Sequence, residues 1–95
     1  MGSGLEESLR LTVAALMQAT GESQRAVAAV LGLTQTQVSR RQSGAASWTL
    51  DDVDALAGHY GMAALDLLAG PTRACEVLPA SRRRAAAIAK KGAVR

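Results

Sequence analysis

Gln35, Thr36, Gln37, Ser39 and Arg40 follow one another at close spacing and bring amide, hydroxyl and guanidinium groups onto a single short segment. A glutamine amide pairs in a bidentate way with the major-groove edge of adenine, and an arginine guanidinium does the same with guanine. Threonine offers a hydroxyl and a methyl group to thymine. Each such pairing is worth about 1–3 kcal/mol of discrimination between bases. A helix carrying this set is suited to the base edges of double-stranded DNA, provided that something behind it fixes its angle.

The flanking residues supply that support. Ser23 is a good N-cap, and the residues from Gln24 to Leu31 put Val27, Ala28 and Leu31 on one helical face. Ala28 suits a tight crossing, where there is room for little beyond a methyl group. Gly32 is placed to end this helix in the left-handed conformation, which a residue without Cβ adopts at low cost. Thr34 and Gln37 have the spacing of a capping box and open the next helix, over 34–43. Val38 is expected to face back toward Val27 and Leu31, which leaves the base-reading set pointing outward.

Further along, Leu9, Val13, Leu16 and Met17 recur at helical spacing in a segment from Leu5 or Glu6 to Thr20, closed by Gly21. Thr49 and Asp52 form a second capping-box pattern. It precedes a stripe of Leu50, Val53, Leu56, Ala57 and Tyr60 that Gly61 closes. Asp51, Asp52 and Asp54 suit the positive end of that helix dipole. A short fifth helix from about Ala63 to Ala69 contributes Leu65, Leu67 and Leu68 before Gly70-Pro71 stops it. The expected architecture is all-α, with five helices over residues 5–70, a leader at 1–4 and a basic tail over 71–95.

At these positions the chain resembles the lambda-repressor-like helix-turn-helix family of phage repressors, Cro proteins and small bacterial regulators, also called the XRE type. The likeness runs from Val13 and Leu16 through Gly21-Glu22-Ser23-Gln24 and the 23–44 segment to Thr49-Leu50, Val53, Leu56-Ala57, Tyr60-Gly61-Met62 and Leu67-Leu68. The resemblance implies that Gln24 bonds a DNA phosphate and that Gln35, Thr36 and Arg40 read bases. It also implies a twofold dimer on a palindromic operator. Two departures stand out. Family members usually carry an apolar residue where this chain has Arg41, and often carry arginines where it has Ala14 and Met17. Arg41 is open to two readings, a stem lying along apolar surface with its head in water or a reach to phosphate. Arg25 and Ser43 complete the expected phosphate-contacting set with Gln24 and Arg41.

Charge is unevenly spread. Residues 1–70 carry Arg10, Arg25, Arg40 and Arg41 against seven acidic side chains, a net −3, whereas residues 71–95 carry a net +6. Protein–DNA affinity draws heavily on neutralised phosphates, so a net acidic reading head needs its few arginines turned to the duplex or help from elsewhere. The tail residues Arg82, Arg83, Arg84, Lys90 and Lys91 are candidates for that help, along phosphates or in the minor groove. The same tail has two other readings, a frayed terminus and a segment that wraps a protein partner in the manner of an antitoxin or interaction module.

The remaining polar residues point away from catalysis. There is no paired-carboxylate cleft, no His and Cys constellation and no phosphate-cradling glycine loop, so no enzyme and no cofactor are expected. The one histidine, His59, has no carboxylate or nucleophile near it in sequence, and a surface or dimer contact is expected. Cys75 stands alone, which excludes an internal disulfide and fits an inert thiol. Trp48 is expected to lie as a lid over the junction of the third and fourth helices. The 95 residues contain no Phe, so the core must be aliphatic, and no apolar run approaches the roughly 20 residues needed to cross a bilayer. These features, with no signal-peptide stretch at the amino terminus, lead to an expected cytoplasmic regulator that dimerises through Leu65 and Leu68. Its richness in Ala and Arg suggests a phage or high-GC bacterial source.

Overall fold

The computed structural model describes residues 4–84. The described residues form six α-helices and one 3-10 turn: α1 (Gly4–Thr20), α2 (Gln24–Leu31), α3 (Gln35–Ser43), α4 (Leu50–Tyr60), α5 (Ala64–Leu68), α6 (Pro71–Val77) and the turn Ala80–Arg82. No strand occurs among them.

The helix boundaries follow from local chemistry. The Ser23 hydroxyl accepts the Ala26 N–H at 3.1 Å and starts α2. Both expected capping boxes are formed: Thr34 with Gln37 opens α3, and Thr49 with Asp52 opens α4. Gly32 sits at φ 69° and ψ 28°, a left-handed turn that costs a residue with a Cβ about 1 kcal/mol. Its N–H and that of Leu33 return to the carbonyls at the end of α2, so the chain reverses into α3 within a few residues.

Val13, Leu16, Val27, Val38, Leu56, Tyr60 and Leu67 are fully shielded from water and knit α1 to α5 into one core. Burial of each large aliphatic side chain contributes about 1.5–3 kcal/mol before entropy is counted. α2 packs on α3 and α4, while α1 lies against α3, α5 and α6, so the turn between α2 and α3 is buttressed from behind.

Three expectations about the fold need correction. Residues 71–78 are not the start of a loose tail: α6 packs on α1, with Ala74 and Leu78 buried in the same core. Pro71 had the look of a stop, but it occupies the first turn of α6, where its missing N–H would have had no partner anyway. Leu50, expected in the buried stripe, is 81% exposed. Leu50 is the first residue of α4, and its side chain leans toward the amino terminus, past the edge of the core. Finally, α1 begins at Gly4, inside the segment assigned to a leader.

Candidate nucleic-acid interface

α3 rests on the core through Val38, and Gln35, Thr36, Gln37 and Arg40 are exposed on it while Ser39 is half-buried. Its sequence holds no acid. The amide of Gln35 does not stand alone: its Nε2 donates to Gln24 Oε1 at 3.3 Å, across the turn between α2 and α3. The bond steadies one edge of the Gln35 amide and leaves its Oε1 and second N–H unused. Those are the acceptor and donor that adenine's N6 and N7 require. Gln24 keeps its own Nε2 for another acceptor. Beside the pair, Ser23, Gln24, Arg25 and Gln35 line an open cleft of about 420 Å³.

Gln37 is partly committed: its Oε1 accepts the Thr34 N–H at 2.8 Å as half of the expected capping box, which spends one lone pair of the carbonyl and leaves both N–H groups. Ser43 is a correction: its hydroxyl donates to the Arg40 carbonyl at 3.1 Å and accepts the Ala45 N–H at 3.4 Å, closing the end of α3 on itself.

Arg41 resolves toward the interior. Its Nε donates to Asp52 Oδ2 at 2.9 Å, its Nη1 reaches the Gln37 carbonyl at 3.4 Å, and its guanidinium lies 5.9 Å from the Trp48 ring centroid. The phosphate role expected for it is therefore unsupported, because the guanidinium ties α3 to the amino terminus of α4. Trp48 is buried as the expected lid, and its indole N–H donates to Gln42 Oε1 at 3.0 Å. Gln42 in turn donates to the Arg10 carbonyl at 3.2 Å, fastening α3 to α1.

His59 was expected to lack a carboxylate and has one. Its Nε2 lies 2.6 Å from Glu22 Oε2, and Arg82 Nη2 lies 3.1 Å from its Nδ1. The same Arg82 Nη2 lies 3.3 Å from Nε2, so carboxylate, imidazole and guanidinium form one cluster. Burial alone would raise the Glu22 carboxyl. The hydrogen bond and charge of His59, with the nearby Tyr60 and Thr20 hydroxyls, outweigh it and hold the group below its ordinary value. Burial, reinforced by the Glu22 charge, pushes the Tyr60 phenol far above its usual range. Tyr60 Oη, Glu22 Oε1 and Arg82 Nε are buried without a partner at hydrogen-bonding geometry among the described residues. The cluster joins residues from three distant stretches of chain, and no local pattern announces it.

The basic residues divide into two groups. Arg41 pairs with Asp52, Arg73 with Asp66 at 3.1 Å, Arg82 with His59, and Arg83 with the Cys75 carbonyl. Arg10, Arg25, Arg40 and Arg84 have no side-chain partner among the described residues. Arg25 borders the cleft with Gln35, Arg40 is exposed on α3, and the Arg10 guanidinium stands 3.4 Å from where a Cβ at Gly44, the C-cap of α3, would lie. Arg10 was missed by the sequence reading, which looked for basic residues one and two turns further along α1. Arg82 and Arg83, read as phosphate contacts, are held by their own chain, and Lys90 and Lys91 lie outside the described residues.

Among the described residues, no helix is long and apolar enough to cross a membrane. Residues 6–93 match the family model of the BetR domain. Comparison with curated proteins gave no match, and neither did comparison with solved structures.

Proposed function

The chain belongs to the BetR domain family, and we propose that it is a sequence-specific regulator that docks α3 in the major groove of double-stranded DNA. The observation that carries this reading is the Gln24–Gln35 hydrogen bond across the turn, with Arg25 and Arg40 exposed and unpaired beside it. A paired glutamine amide with a free acceptor and donor is a preset adenine reader, and Gln24 Nε2 and Arg25 are donors suited to the flanking phosphates. In this reading α2 and α3 form a helix-turn-helix unit of lambda-repressor type. Gln35, Thr36, Ser39 and Arg40 address bases, Gln24 and Arg25 hold the backbone, and Gln37 presents its amide N–H groups from the capping box.

A dimer on a palindromic site belongs to the same proposal, because one short helix covers too few base pairs to select a site in a genome. The exposure of Leu65 on α5 supports a contact there. The packing of residues 71–78 on α1 leaves that stretch unfit to wrap a protein partner, so the interaction-module reading gains nothing from it.

Selection of bound duplexes from a random pool tests the proposal. Enrichment of a palindrome with half-sites about one helical turn apart, roughly 10 base pairs, is the expected result. A pool that remains random after repeated rounds would overturn it.

A further inference from the structure

Arg84, the last of the described residues, is tied to the body of the fold. Its backbone N–H donates to the Ala19 carbonyl at 2.7 Å, which brings the chain back against the end of α1. The two arginines before it act as fasteners, Arg82 on His59 and Arg83 on the Cys75 carbonyl. The Arg84 guanidinium then lies over Gly21, where an added Cβ would fall 2.8 Å from its Nε. Gly21, at φ +77°, leaves the space that the guanidinium occupies.

From there Arg84 walls an open cleft of about 420 Å³ that it shares with Gln18, Gln24 and Gln42. Gln24 also lines the neighbouring cleft with Arg25 and bonds Gln35, so the two clefts meet at the amide that supports the base reader. The donors facing the Arg84 cleft are in part uncommitted. The guanidinium has no partner among the described residues, Gln24 has spent only its Oε1, and Gln18 is exposed on α1. Gln42 is a fixed wall, held by Arg10 and Trp48. Glu22 is the acid in the lining, with its Oε2 engaged by His59 and its Oε1 buried and without a partner among the described residues.

We infer that the returning segment 80–84 builds a DNA phosphate site, in which Arg84 with Gln24 and Gln18 grips one phosphodiester of the strand flanking the bases read by α3. The inference rests on the proposed DNA-binding function and assigns the three arginines different work. Arg82 and Arg83 position the segment, and Arg84 touches the ligand. A guanidinium backed by amide donors matches a phosphodiester in both charge and hydrogen bonding.

The test is fluorescence anisotropy of the full chain on a mixed-sequence duplex over a series of NaCl concentrations, with Arg84→Ala, Arg84→Lys and Arg73→Ala. Arg73→Ala removes the same unit of charge from α6, where the residue is paired with Asp66. Arg84→Ala is expected to weaken binding to all duplexes alike and to lower the slope of log affinity against log salt by about 1, the loss of one phosphate contact. Arg84→Lys should keep the slope and Arg73→Ala should leave it unchanged, with circular dichroism melts of all variants near the parent. Equal slopes for Arg84→Ala and the parent would overturn the site while leaving the wider function standing. An equal drop for Arg84→Ala and Arg73→Ala would overturn it in favour of general charge. A parent chain that binds no duplex would bring down the proposed function and this site with it.

Discussion

A glutamine side chain reads a base well only if its amide plane is held, and in this protein Gln24 does the holding from the other side of the turn. Gln35→Ala should cost about 1–3 kcal/mol of preference at one base pair per half-site and little affinity elsewhere, as measured on single-substitution duplexes. Arg41 belongs to a different task. With Asp52 only 11% exposed, Arg41→Ala leaves that carboxylate without its cation and should lower unfolding free energy by about 1–3 kcal/mol in urea, with the salt dependence of DNA binding unmoved. Glu22 gives a pH prediction whose sign is fixed. Its folded-state value lies below the ordinary value of 4.5, so the unfolded chain binds the proton more readily. The stabilisation is present above about pH 4.5 and is lost as pH falls through the folded value. Glu22→Gln should therefore flatten the acid limb of stability measured between pH 3 and pH 7, roughly the range over which carboxylates titrate. The exposed polar set on α3, Gln35, Thr36 and Arg40, was legible because side-chain chemistry is written residue by residue. The carboxylate partners of Arg41 and His59 were not, since Asp52 and Glu22 reach them only after the chain has folded.

Between residues and the whole lies the question of why these helices stop and turn where they do. Ser23, the Thr34 and Gln37 box and the Thr49 and Asp52 box could be read directly, because a cap is a contact over three residues and depends on nothing distant. The same locality explains the misreading of α6. Gly70-Pro71 ends one helix and begins another, and the first function was taken without the second. Only the docking surface on α1 reveals that Ala74 and Leu78 are core residues. Leu78→Ala should then cost about 2–5 kcal/mol of stability by thermal or urea unfolding, as for any buried leucine, whereas a true tail residue would cost nothing measurable. Leu50 shows the opposite error, an apolar residue in register that meets water, whereas Leu65 is exposed where a contact between protomers was expected. Leu65→Glu is expected to shift the sedimentation profile at micromolar concentration from dimer to monomer without loss of helix content.

For the whole molecule, the proposed docking on DNA places the demand for positive charge at one location. The stretch 1–70 is net acidic, yet Arg25 and Arg40 stand unpaired around α3, and the fold returns Arg84 from a distant part of the sequence to the edge of the same face. Truncation after Arg84 should preserve a larger share of duplex affinity than truncation after Pro79, because only the shorter chain loses the fastened segment. A salt series on both truncations measures the difference. Composition revealed the imbalance of charge, but the return path depends on the Arg84 bond to Ala19, which has no sequence signature. The central claim is that α3 reads bases, and its most direct test is duplex selection from a random pool by the parent and by Gln35→Ala in parallel. The account predicts a palindromic consensus for the parent and the same consensus degenerate at one position per half-site for the variant. Identical consensus sequences from both proteins would contradict it.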